Sequence, residues 1–88
     1  SAARVFPNPV RGRLHCVLEP PIEGQVRLEI LDAGGRLACS RVDETGSAGG
    51  RLPSWDLTAG DCALSPGAYV IRLTTATREV ARKIIVLQ

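Results

Sequence analysis

The chain is poor in aromatic residues, histidine and lysine, and each shortage excludes a class of function. Aromatic residues make up 3% of its 88 residues, one Trp, one Tyr and one Phe. A core must therefore be built from Val, Leu, Ile and Ala, and no row of rings is available for bases to stack on. The only histidine, His15, is accompanied by no compact set of zinc ligands. Its neighbour Cys16 lies in the same apolar-polar alternation, where adjacent side chains face opposite ways, so the two form no nucleophile and base pair. Asp56 and Asp61 flank a loop, where Asp is expected to make turns rather than to work as a catalytic pair. The D-x-D-x-D-G pattern of a calcium loop is missing. Neither Gly34-Gly35 nor Gly49-Gly50 leads into a helical pattern that would cradle phosphate. No enzymatic activity, cofactor or metal site is expected.

Long apolar runs are also missing. None approaches the ~20 residues that cross a bilayer, so no membrane insertion is expected. The N-terminus lacks the basic-then-apolar pattern of a signal peptide. Eleven basic and nine acidic residues leave a net charge of +2. Ten of the basic residues are Arg, spread from Arg4 to Arg82 with no aromatic interleaving, and only Lys83 is Lys. That distribution excludes a nucleic-acid surface.

What is present is a globular composition, 44% apolar and 23% charged. A chain of this length folds as one domain over residues 1–88 and buries roughly 60–65% of its unfolded surface. Residues 1–3 read as a linker remnant ahead of it. Cys16, Cys39 and Cys62 are an odd set with no C-x-x-C pair, so at most one disulfide forms. All three are expected to act as free, small apolar residues.

Strand patterns recur at short intervals. Val5-Phe6 runs into Pro7-Asn8-Pro9, whose fixed φ angles force an extended or turned path. Residues 14–18 and 25–31 alternate, the second with Val26, Leu28 and Ile30 on one face and Arg27 and Glu29 on the other. Asp32-Ala33-Gly34-Gly35 supplies a tight turn into a strand over residues 36–42. Residues 43–50 read as a loop. Residues 52–57 form a weak strand, pushed to an edge by Pro53, in which Trp55 anchors the core. Residues 58–66 are again a loop. Nowhere does apolar spacing of 3.6 persist for the length of a helix. Six to seven short strands with regular turns indicate an all-β chain, an immunoglobulin-like antiparallel β-sandwich.

The chain closes on a hairpin, with residues 66–73 and 82–87 joined across residues 74–78. Tyr69, Ile71 and Leu73 share the core face of its first strand, while Ala68, Val70 and Arg72 share the other. In the last strand Ile84 and Val86 face one way and Ile85 and Leu87 the other. A strand apolar on both faces is central in the sandwich, covered by a loop, or exposed for a partner.

These elements carry a resemblance. Residues 5–12, Val-Phe-Pro-Asn-Pro-Val-Arg-Gly, resemble the Y/F-P-N-P opening of the type A C-terminal sorting domains of the type IX secretion system. Residues 31–37 resemble their L-x-D-x-x-G-R-x turn, residues 64–72 their L-x-x-G-x-Y segment, and residues 82–87 their basic-apolar terminal strand. The four blocks occur in the family's order. The resemblance implies a non-catalytic β-sandwich, linked to an upstream cargo and recognised by the outer-membrane translocon. It also implies cleavage by a sortase-type peptidase and passage through the periplasm to the cell surface or beyond. Pro7, Asn8, Pro9, Asp32, Gly35, Arg36, Gly67 and Tyr69 would carry the signature. Recognition would fall on Arg82, Lys83, Ile84, Ile85, Val86 and Leu87.

Residues 54–57 with 63–69 also resemble the W-D…L-x-x-G-x-Y segment of the immunoglobulin-like domain of flagellar hook-capping proteins. That resemblance implies an accessory domain of a secreted enzyme, either structural or binding carbohydrate through Trp55.

Overall fold

Period-two alternation decides the inside of this molecule. Val26, Leu28 and Ile30 alternate with polar residues, as do Leu14, Cys16 and Leu18, and all six are buried. The computed structural model describes residues 2–20, 24–44 and 49–88. Among these are seven strands: β1 (Ala2–Phe6), β2 (Arg13–Glu19), β3 (Gln25–Asp32), β4 (Leu37–Glu44), β5 (Trp55–Asp56), β6 (Gly67–Thr74) and β7 (Glu79–Val86). A single 3-10 turn, Gly60–Cys62, interrupts the stretch expected to be plain loop. Strands β1-β2-β5 form one antiparallel sheet and β4-β3-β6-β7 the other. Compared with the constant immunoglobulin arrangement, the fourth strand sits on the opposite sheet. The expected all-β sandwich is the observed one.

The ends of several elements differ from expectation. Ala2 and Ala3, read as linker, pair with Glu19 and Leu18, and Ala3 is buried. Strand β4 continues through Asp43 and Glu44, which pair with Val26 and Gln25 of β3, and Asp43 also pairs with Arg41 at 2.7 Å on the inward side. The rest of the expected 43–50 loop lies partly outside the described residues. The 52–57 strand shrinks to two residues. Its start is broken at Pro53 and Ser54, whose carbonyls turn away from β2 and accept hydrogen bonds from the Arg41 guanidinium of the other sheet. Arg41 also lies 4.7 Å from the Trp55 ring centre, a cation–π contact across the sandwich. Trp55 is a core anchor, 6% exposed. With one ring face taken by Arg41 it offers no platform for a sugar, which sets aside the carbohydrate-binding alternative.

The cysteines also depart from the expected free state. Cys39 of β4 and Cys62 of the 3-10 turn form a disulfide, with Cα atoms 5.4 Å apart. Burial brings the two together, at 8% and 5% exposed. Cys16 alone stays reduced, inside the core. Burial pushes its thiol up to about 11, partly offset by the nearby Arg41 charge.

The turns are made by the residues expected to make them. Asp32 Oδ1 accepts the N–H groups of Gly34 and Arg36, both at 2.9 Å, and the Asp32 N–H donates to the Arg36 carbonyl. Gly35 sits at φ +85°, a conformation that strains any side chain. Asp56 opens the following loop by accepting from the Thr58 hydroxyl and N–H, which hold its carboxyl below the usual range. Tyr69 Oη donates to the Ser65 carbonyl at 2.7 Å, the tyrosine corner of such sandwiches.

Candidate functional site

Strand β7 lies at the edge of its sheet, neither central nor covered by a loop. Ile84 and Val86 are buried, whereas Ile85 and Leu87 remain 42% and 40% exposed. Register places Leu37, Leu31, Val70 and Lys83 in one row across all four strands, with Ala68 and Ile85 beside it. Between the row and the Asp32 turn lies an open, mainly apolar depression of about 590 Å³. Leu31, Ala68, Val70, Lys83 and Ile85 line it, along with Asp32, Gly35 and Tyr69. Three of the four sequence blocks thus meet at one place on the outer face.

The fourth block reaches the same strand from its edge. Asn8 Nδ2 donates to the Lys83 carbonyl at 3.0 Å, and Asn8 Oδ1 accepts from the Ile85 N–H at 2.9 Å. Val10 continues the contact as a parallel bridge, its N–H donating to Ile85 and its carbonyl accepting from Leu87. Gln88 then accepts the Gly12 N–H and donates to the Leu57 carbonyl. The side chain of Asn8 supplies both halves of a peptide group to a strand edge that would otherwise offer unpaired N–H and C=O groups. Pro7 and Pro9 flank it and are exposed.

Replacing Asn8 with Ala removes both bonds. We expect a loss of about 1 kcal/mol, because water takes over the exposed partners. The Ile85 amide, followed by hydrogen exchange, should lose protection well before the Ile71 amide of the neighbouring strand. Equal protection in both proteins would show that Asn8 does not hold this edge.

Arg82 and Lys83, read together as a basic end, point to opposite faces. Lys83 is exposed on the outer face, whereas Arg82 shares the inward parity of Ile84 and is half-buried, folded back onto the Ala81 carbonyl at 2.9 Å. A second depression, between β1 and β7, is lined by Arg82 and also by Lys83. Gly67 and Arg36 act through the backbone, Gly67 at φ +155° and Arg36 through its N–H and C=O in the turn.

A family model for the secretion system C-terminal sorting domain matches residues 4–87. The chain belongs to this family. A search of curated proteins finds none that matches. This sorting domain is a signal for type IX secretion, and it acts with that machinery on a linked cargo destined for the cell surface or the extracellular space. No helix among the described residues is long and apolar enough to cross a membrane.

Within the sorting domain, Leu31, Ala68 and Val70 were not singled out from sequence. Leu31 carried a usable sign, since it is the apolar exception on a face that otherwise holds Arg27 and Glu29. Gln88 carried none, because its partners lie 76 and 31 residues away in the chain.

Proposed function

We propose that the type IX outer-membrane translocon reads this sorting domain as a folded object, through the outer face of its C-terminal hairpin. Of the six residues 82–87, Lys83 and Ile85 are the ones placed to be read, with Leu87 beside them. Ile84 and Val86 serve the core. The observation that carries this reading is the convergence of the Asp32 turn, the Tyr69 strand and the Lys83–Ile85 stretch around one exposed apolar depression. Folding alone explains the buried half of β7 and leaves that face unexplained. The whole of residues 1–88 acts as one unit in this reading, released afterwards from its cargo by a sortase-type peptidase.

The test fuses residues 1–88 to the C-terminus of a periplasm-directed reporter in a type IX-competent host. The parent fusion should reach the surface. Lys83→Glu combined with Ile85→Ser should cut display at least tenfold, while the melting temperature of the isolated domain moves by no more than a few degrees. Undiminished display of a folded double variant would overturn the reading and move recognition to another part of the domain.

A further inference from the structure

The lining of the outer depression is chemically lopsided, and that asymmetry identifies the kind of partner segment it fits. Leu31, Ala68, Val70 and Ile85 provide an apolar floor, and Leu37 extends the row across β4 while 55% exposed. Two lining residues are of acidic or basic type, Asp32 and Lys83. The Asp32 carboxylate already accepts the Gly34 and Arg36 N–H groups in its own turn. One pleat along the same face, Arg72 and Glu29 neutralise each other at 3.0 Å. Among the described residues no carboxylate lies within ion-pair distance of the Lys83 ammonium, which stands at the rim of an apolar hollow.

A volume of about 590 Å³ falls among clefts of roughly 300–1,000 Å³ that enclose a ligand. One cation without an ion-pair partner, set with the turn-bound Asp32 carboxylate around an apolar floor, does not match an anionic lipid surface, which is held by a cluster of several Lys and Arg residues. Nor does it match a nucleic-acid backbone, which needs a stripe of cations. It matches one carboxylate placed next to one large apolar side chain.

We propose that the depression receives a segment of a partner protein in which Asp or Glu adjoins a bulky aromatic or aliphatic residue. The apolar side chain enters over Val70 and Ala68, and the carboxylate pairs with Lys83. A charge pair beside a desolvated apolar anchor gives both affinity and orientation, because the ion pair at the rim fixes which way the segment lies. This inference rests on the reading that the outer face of the hairpin is the recognised surface, and it adds the chemistry of what is bound there.

The experiment titrates the ¹⁵N-labelled domain with three capped tetrapeptides, Gly-Asp-Trp-Gly, Gly-Asn-Trp-Gly and Gly-Asp-Ala-Gly, following backbone amide shifts. The Asp-Trp peptide should move the amides of Leu31, Val70, Lys83 and Ile85. The other two should bind at least fivefold more weakly. Lys83→Gln should erase the preference for Asp over Asn while keeping the preference for Trp over Ala, and Val70→Glu, with spectral dispersion checked for folding, should erase binding. Equal binding of the Asp and Asn peptides, or shifts confined to the other sheet, would overturn the proposal. Failure here with export still lost in the Lys83→Glu, Ile85→Ser fusion would sink the ligand chemistry alone. A clear Asp-Trp preference with undiminished export would sink the recognition reading instead.

Discussion

Replacing Cys39 and Cys62 together with Ser should lower the stability of this sorting domain by about 3 kcal/mol, the value expected for closing a loop of this length in the unfolded chain. The bridge spans 23 residues. It fastens the edge strand β4 to the 3-10 turn that leads into β6, and the stretch it encloses includes the two-residue strand β5. For a chain of this size such a loss corresponds to a melting temperature lower by roughly 12–24 °C. Thermal melts followed by circular dichroism, with and without reductant, measure it directly. A Cys16→Ser variant provides the control, since Cys16 is not bridged and its melt should retain the reductant-sensitive drop. A parent domain whose melting temperature ignores reductant would show that the bridge is absent or contributes nothing.

The second large effect separates two neighbouring residues of the same type. Ile84 is fully buried and Ile85 is 42% exposed, because they occupy opposite faces of one strand. Ile84→Ala deletes core volume and should destabilise by about 2–5 kcal/mol. Ile85→Ala should stay within about 0.5 kcal/mol, as surface substitutions do. Urea unfolding of both variants gives the two numbers. The export assay should reverse part of the order: Ile85→Ala loses display while folding normally, whereas Ile84→Ala loses display in step with its unfolded fraction. Similar stability losses for both residues would mean that β7 is covered on its outer face, contrary to the exposure of Ile85.

The legible part of this fold was the part written in local alternation. Val26, Leu28 and Ile30 announce β3, Asp32 with Gly35 announces the turn, and Tyr69, Ile71 and Leu73 announce the inner face of β6, all from residues within one strand length of each other. The Cys39–Cys62 pairing was hidden because Cys16–Cys39 and Cys39–Cys62 have the same separation of 23, so chain distance cannot choose between them. Arg41 reads as one more polar residue of an alternating strand, yet it faces inward and repairs the break that Pro53 makes in the opposite sheet. Nothing local encodes such a meeting.

The outer site was half visible. Lys83 and Ile85 follow from parity, which also separates them from Arg82 and Ile84, although the basic pair reads as one feature in a linear string. Asn8 was visible as a residue of the Pro-Asn-Pro block and its task was not, since its two hydrogen bonds reach residues 75 and 77 positions away.

The lacing of residues 8–12 along residues 83–88 has a mechanical consequence. The two segments run parallel, joined by five hydrogen bonds. Tension applied between the two ends of the chain drags parallel neighbours past each other lengthwise, so the load is shared by the five bonds at once instead of falling on them one by one. The seam therefore resists a pull along that line as a unit and holds until its bonds yield together.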